Sequence, residues 1–173
     1  PIPGLAVAGY LDNAGAMALE RLPESLIVIG ASAVGLELAQ MFARLGVRVT
    51  VLEALPRAVP AEDPAIGDAL GECLRLEGLE LYTGVQVERV GRTSNGYTVA
   101  FRQAAQARAA RAEQLLVATG RRANTKGFGL DAAGVDLGTK GEIVVNEFLQ
   151  ASNSDIYAAG DVIGDPMFVY VAA

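Results

Sequence analysis

The amino-acid sequence predicts an α/β fold: a parallel β-sheet with helices on both faces, a β-meander insertion, and a short further segment after it. Three observations point to this. Leu26–Ile29 is a short, apolar, β-branched run of the kind that is buried on both faces of a sheet. It is followed at once by a glycine-spaced turn, an amphipathic helical pattern and a second strand-like run, Val47–Leu52. Strand and helix patterns then alternate, as in doubly wound domains, until a stretch with hairpin signals intervenes.

The elements follow in order. Residues 1–12 hold two prolines and two glycines without any period, and read as a linker. Asn13–Leu22 can form a short helix that stops near Pro23. From Ala33 onward Val34, Leu38, Met41, Phe42 and Leu45 recur on one helical face, and Gly46 stands where a C-terminal cap belongs. Asp63-Pro64 is a helix start, with an acceptor at the N-cap and proline in the first turn. Ile66, Leu70, Cys73 and Leu74 then share a face, which places Cys73 in the core. Leu79–Tyr82, Val85–Val90 and Tyr97–Arg102 are strand-like, and Asn95-Gly96 is a hairpin turn signal. Residues 103–113 have no clear period and could supply a return strand of poor propensity. Leu115–Ala118 is another buried-type strand, and Ile143–Val145 and Ile156–Ala158 are further short ones.

Composition excludes several functions. The chain has 173 residues and a formal net charge of -6, which argues against non-specific binding to nucleic acid or anionic lipid. It has no histidine, so a His-based triad or a zinc site of the usual kinds cannot form. Its single cysteine rules out an internal disulfide or dithiol pair and is compatible with the cytoplasmic location we expect. No apolar run is long enough to span a membrane. The start, Pro1-Ile2-Pro3-Gly4-Leu5, reads as the interior of a longer protein, so an excised fragment is expected.

The turn after the first strand carries the chemistry. In Gly30-Ala31-Ser32-Ala33-Val34-Gly35, Gly30 permits a tight strand-to-helix turn and Gly35 a close helix–sheet approach. The free N–H groups of the helix start, helped by the helix dipole, suit a pyrophosphate. The middle position, usually glycine, is Ser32, whose hydroxyl can donate to a phosphate. Glu53 closes the second strand, where an acid accepts from a ribose 2′-hydroxyl and repels a 2′-phosphate. These features make the fold Rossmann-like and lean towards NAD. Arg57 could reach a 2′-phosphate if Glu53 turned away, or be a solvated loop charge. Glu37 could complement the helix dipole or lie near a nicotinamide.

Several stretches in this order resemble the flavin-dependent pyridine nucleotide–disulfide oxidoreductases. They are Pro1–Leu5 (PIPGL), Leu26–Glu37, Val49–Glu53, Leu116–Thr125 (LVATGRRANT) and Asn153–Val162 (NSDIYAAGDV). Within that family the chain is most similar to the mercuric reductases, through the missing middle glycine, Ala33, and the tail Met167–Ala173. The resemblance implies that Gly30, Ser32, Ala33 and Gly35 line a pyrophosphate turn, and that Glu37 lies near the nicotinamide and the flavin. It implies that Glu53 holds the adenosine ribose, that the Val85 backbone meets the adenine, and that Gly120 approaches the dinucleotide. Gly160 and Asp161 match a flavin motif whose aspartate binds the ribityl chain of FAD. Ala123 and Ala151 depart from the family pattern, with consequences for loop rigidity. Mercuric reductases usually take NADPH, which pulls against Glu53.

The expected division is therefore 1–24 as linker and lead-in helix, 25–126 as an NAD(P)H-binding domain, and 127–173 as an incomplete returning segment of an FAD-binding domain. The resemblance implies a parent that passes hydride from NAD(P)H to FAD and on to Hg(II). Alternatives are a fragment of dihydrolipoamide dehydrogenase or another disulfide reductase, or a stand-alone dinucleotide module. The parent is expected to be a homodimer through a further domain. No catalytic or metal-ligating residue is expected in this chain.

Overall fold

The computed structural model describes residues 2–164. The chain forms two compact units, Pro1–Gly120 and Arg121–Ala173. The tail Met167–Ala173 lies outside the described residues, as does Pro1.

The first unit is built on a four-stranded parallel sheet of β1 (Ser25–Ile29), β2 (Arg48–Leu52), β3 (Glu80–Tyr82) and β7 (Gln114–Val117), in the order β3-β2-β1-β7. A three-stranded antiparallel sheet comprises β4 (Val85–Thr93), β5 (Gly96–Gln103) and β6 (Gln106–Ala112). The helices are α1 (Leu5–Ala8), α2 (Asn13–Met17), α3 (Ala33–Arg44) and α4 (Pro64–Leu76).

Side-chain alternation along the strands separates two cores. Leu26, Val28, Val49, Val51, Leu81 and Leu116 pack with Leu36, Ala39 and Phe42 of α3 and Leu74 of α4. Ile27, Ile29, Leu52 and Leu115 point the other way, into Val90, Val99 and Phe101 of the antiparallel sheet. The meander is therefore the cover of the second face, assisted by the single turn of α1. α2 to α4 pack on the first face, while α1 and the antiparallel strands share the second. The physical reason is that β5 presents Tyr97, Val99 and Phe101, all buried, as a continuous apolar stripe.

Local differences from the sequence reading have identifiable causes. Residues 2–12 are ordered: Val90 N donates to Pro3 O (2.9 Å), Leu11 N to Leu115 O (2.8 Å), and Val117 N to Leu11 O (2.9 Å). Leu11 thus bridges to the outer edge of β7 and closes it. The weak segment 103–113 contains β6, which pairs with β5 from Tyr97↔Ala112 to Gln103↔Gln106. α4 turns Gly67, Gly71 and Leu74 inward and leaves Cys73 exposed, correcting its assignment to the core. The helix leans through Gly67 on the Arg57–Ala58 loop, which leaves Ile66 and Cys73 exposed while Leu70 stays packed against the core. The far ends of α3 and α4 are tied by Arg44, which donates to both Glu77 carboxylate oxygens at 2.8 and 2.9 Å.

The start of β7 is anchored by Glu113. Its carboxylate accepts from Arg21 and from Glu24 N (2.8 Å), while its own N–H donates to Ser25 Oγ (3.0 Å). The Glu24 N–H, and after it Arg21, hold the Glu113 carboxyl below its ordinary value of 4.5. A depressed carboxyl stabilises the fold above its unfolded value, and that contribution is lost as pH falls through the folded one. The stability gap between the protein and Glu113→Gln is thus expected to be flat above about pH 5.5 and to close on acidification. Urea unfolding across pH measures it; a gap that persists unchanged at about pH 2 contradicts the assignment.

The second unit has its own small core of Val135, Ile143 and Ala151, with Leu130, Ile156 and Val162 against it. Ala151 is therefore a packing residue as well as a loop residue. Ile143–Val145 and Ile156–Ala158 make isolated bridges, Leu137↔Ile143, Val145↔Ala151 and Gln150↔Tyr157, in place of the expected strands. The segments are held instead by side-chain bonds such as Asn153 Nδ2 to Ala133 O (2.7 Å) and Thr125 Oγ1 to Gly141 O (2.7 Å).

Candidate functional site

At the carboxyl ends of β1, β2 and β7 lies a cleft of about 540 Å³, lined by Gly30, Ser32, Glu53, Val85 and the Ala118-Thr119 pair. This is where open parallel sheets bind ligands. Its floor is the β1–α3 turn. Gly30 has φ +108°, and a Cβ there would lie 2.5 Å from Ala118 O. A Cβ at Gly35 would collide with Gly30 O and lie 3.2 Å from Ala118 Cβ. Both glycines are thus required by close approach, and the backbone is bare where a phosphate would sit. The start of α3 has no side-chain cap: Ser32 is extended, and its hydroxyl reaches only Ala118 O, at 3.4 Å. The first-turn N–H groups of this twelve-residue helix are available to an anion.

Glu53 is buried, 7% exposed, and forms part of the turn itself. Its Oε2 accepts from Ala31 N at 2.6 Å and its Oε1 from Leu55 N at 2.8 Å. Its backbone bonds to Tyr82 O and Val85 N link it to the neighbouring strands (2.9 and 3.0 Å). A carboxylate offers about four acceptor positions, so capacity remains for a sugar hydroxyl. The loop after β2 is pinned to the same turn by Val59 N, which donates to Ala31 O (2.8 Å). Val59 has φ +39°, unusual for a β-branched residue.

The structure thus brings together Gly30, Ser32, Glu53 and Val85 in one cleft. Gly35 lies directly beneath the turn. Ala33 opens α3 beside the cleft, and Gly120 follows Thr119 at its rim; both are exposed. Glu37 is exposed on α3 and does not line the cleft. Arg57 is elsewhere: its side chain lies over Gly67 of α4 and borders a separate depression with Asp68 and Arg75. Sequence reasoning missed Leu55 and Pro60, which also line the cleft. No spacing rule marks them, because the loop after β2 has no period; only its closeness to Glu53 was a signal.

Gly160 and Asp161 belong to the second unit. They open a short 3-10 turn, Gly160–Ile163, and Asp161 Oδ2 accepts from Arg121 at 3.0 Å. Among the described residues no group of three or more His, Cys, Asp or Glu could hold a metal ion. No helix there is long and apolar enough to cross a membrane.

The whole chain, residues 1–173, matches the family described as pyridine nucleotide-disulphide oxidoreductase. It is 43% identical over 172 residues to a mercuric reductase of Staphylococcus aureus, covering 99% of this chain and 31% of that one. A mercuric reductase of Streptomyces lividans is 44% identical over 172 residues, covering 99% of this chain and 36% of that one. Among solved structures, the HOCl-induced flavoprotein disulfide reductase RclA from Escherichia coli superposes with a TM-score of 0.85 at 34% identity, over 99% of this chain and 39% of that one. The chain spans about a third of the length of these relatives.

Proposed function

The chain belongs to the pyridine nucleotide-disulphide oxidoreductase family, and on that premise we propose that the Gly30–Gly35 turn holds the pyrophosphate of a nicotinamide dinucleotide. The N–H groups opening α3 would bind the phosphates, and Ser32 Oγ would add a donor. Glu53 would accept from the adenosine ribose, the Val85 backbone would meet the adenine, and Gly120 would pass close to the dinucleotide. Glu37 would lie towards the nicotinamide. The dinucleotide supplies a hydride when bound; the task of this chain is to hold and orient it. Gly160 and Asp161 would contribute one edge of an FAD site completed by the rest of the parent, which would be a dimer. The final acceptor we assign is Hg(II), on the likeness to mercuric reductases; a disulfide acceptor is the second reading, favoured by the likeness to RclA. Residues that meet either acceptor would lie in the rest of the parent. The domain boundary we adopt remains 25–126 for the dinucleotide domain.

The observation that carries the reading is Glu53, fixed by Ala31 N and Leu55 N inside the cleft that also holds Gly30 and Ser32. A carboxylate so fixed cannot swing away from a 2′-phosphate, and Arg57 lies on the far side, against α4. NADH is therefore the expected ligand. In parallel calorimetric titrations NADH is expected to bind about tenfold more tightly than NADPH, a difference of about 1.4 kcal/mol. Tighter NADPH binding overturns the preference, and no binding of either at millimolar concentration overturns the site. The 173-residue chain alone is expected to bind NADH without reducing Hg(II) or disulfides.

A further inference from the structure

The opposite end of the parallel sheet carries a second, larger cleft of about 690 Å³. It lies at the amino ends of β1, β2 and β7, away from the dinucleotide turn. Four arginines from four separate segments line it: Arg21 after α2, Arg48 opening β2, Arg92 ending β4 and Arg111 in β6. They are a large share of the 14 basic residues in a chain of net charge -6.

Strand register explains the convergence. Arg48 lies beside Ser25 across the parallel pair. Ser25 Oγ accepts from Glu113 N, next to the end of β6 that carries Arg111. Arg92 stands opposite Tyr97 across the hairpin. Two of the arginines are already oriented. Arg92 lies over the Tyr97 ring, 5.0 Å from its centroid, and donates to Ala8 O at 3.2 Å. Arg21 is paired with Glu113. Arg48 and Arg111 have no side-chain partner among the described residues. Glu113, one of the two carboxylates in the cleft, is engaged by Arg21 and the Glu24 N–H. Thr93, Ser94 and Asn95 of the β4–β5 turn add small polar groups to the lining, with the Thr93 hydroxyl donating to Gly96 O (3.5 Å) and the Ser94 hydroxyl to Asn95 Oδ1 (3.4 Å).

We infer that this cleft binds a small polyphosphate anion, such as the triphosphate of a nucleotide. Guanidinium forks from four segments on one concavity are the donor set that phosphate oxygens demand. The volume suits a small molecule, and the concave arrangement from four segments fits a compact ligand better than an extended acidic chain. The inference is independent of the dinucleotide reading, since no residue is shared between the two clefts.

The test is calorimetric titration of the 173-residue chain with sodium tripolyphosphate, with the dinucleotide turn saturated by NADH. Binding is expected to persist with less than a twofold change on NADH addition. The double variant Arg48→Gln/Arg111→Gln is expected to weaken it at least tenfold while leaving the ligand-free unfolding midpoint and NADH affinity unchanged. Should the double variant lose its fold, each single variant is expected to weaken binding at least threefold. Hexaglutamate is expected to bind at least tenfold more weakly than tripolyphosphate. Loss of tripolyphosphate binding under NADH assigns the phosphates to the glycine turn and overturns the inference. So does indifference to the arginine substitutions, and hexaglutamate binding of equal strength would replace the polyphosphate with a carboxylate-rich partner.

Discussion

Gly35→Ala is expected to abolish NADH binding and to cost about 3 kcal/mol of stability, the upper end of the usual cost of overpacking. One methyl group does this because of what it meets. The new Cβ would collide with the backbone oxygen of Gly30 and press on Ala118 Cβ at 3.2 Å. Neither neighbour is the end of a flexible side chain, so α3 must lift from β1 and β7. Gly30 and Ala118 both line the cleft, so the same movement opens the proposed phosphate cradle. Gly46→Ala is the control. It has φ +90° but nothing within 4 Å of its would-be Cβ, so backbone strain of about 1 kcal/mol is its only cost and binding is retained. Urea unfolding and NADH titration of both variants measure the difference. Equal behaviour of the two would show that helix–turn contact does not shape the site.

Glu53→Ala is expected to destabilise by about 2–4 kcal/mol, because it leaves the buried Ala31 N–H and the partly buried Leu55 N–H without their acceptor. Glu53→Gln keeps a carbonyl oxygen for one of the two donors, so its cost is expected to be smaller, about 1 kcal/mol. The second variant isolates charge from structure. With the carboxylate gone, repulsion of a 2′-phosphate is relieved, and the NADPH-to-NADH affinity ratio is expected to rise about tenfold. A stable Glu53→Ala protein would mean that water replaces the carboxylate. An unchanged ratio in Glu53→Gln would remove Glu53 as the discriminating group.

Much of this site was legible in the sequence. Gly30, Gly35 and the face of α3 are set by local geometry, and 3.6-residue periodicity reports local geometry directly. The place of Glu53 at the cleft is legible because strand ends of parallel sheets converge. Its inward bonds to Ala31 and Leu55 are not, since they depend on the path of an aperiodic loop. The same limit explains Arg57, whose chain position is near Glu53 but whose side chain follows α4. The meander was seen through Asn95-Gly96, but β6 was weak because Ala and Arg carry little strand propensity of their own. What makes Ala107–Ala112 a strand is pairing with β5 and the burial of Ala110 and Ala112. The apolar stripe that suggests a buried Cys73 does not report the close approach at Gly67, where a Cβ would lie 2.5 Å from Ala58 O and which sets the face that α4 turns inward. Leu11 gave no signal at all: a single residue bridging to β7 has no pattern to read.

The position of β7 also governs how the sheet can be assembled. β1, α3 and β2 are consecutive and can condense through short loops. The other neighbour of β1 arrives much later: Ser25 and Glu113, bonded side by side, are 88 residues apart in the chain. Closing so long a loop costs more entropy than the short connections do, and the meander lies within it. Until it happens, one side of β1 presents unpaired N–H and C=O groups along Leu26–Ile29, an apolar template open to any other chain. A half-sheet lacking β7 would therefore be the species most exposed to such pairing during refolding.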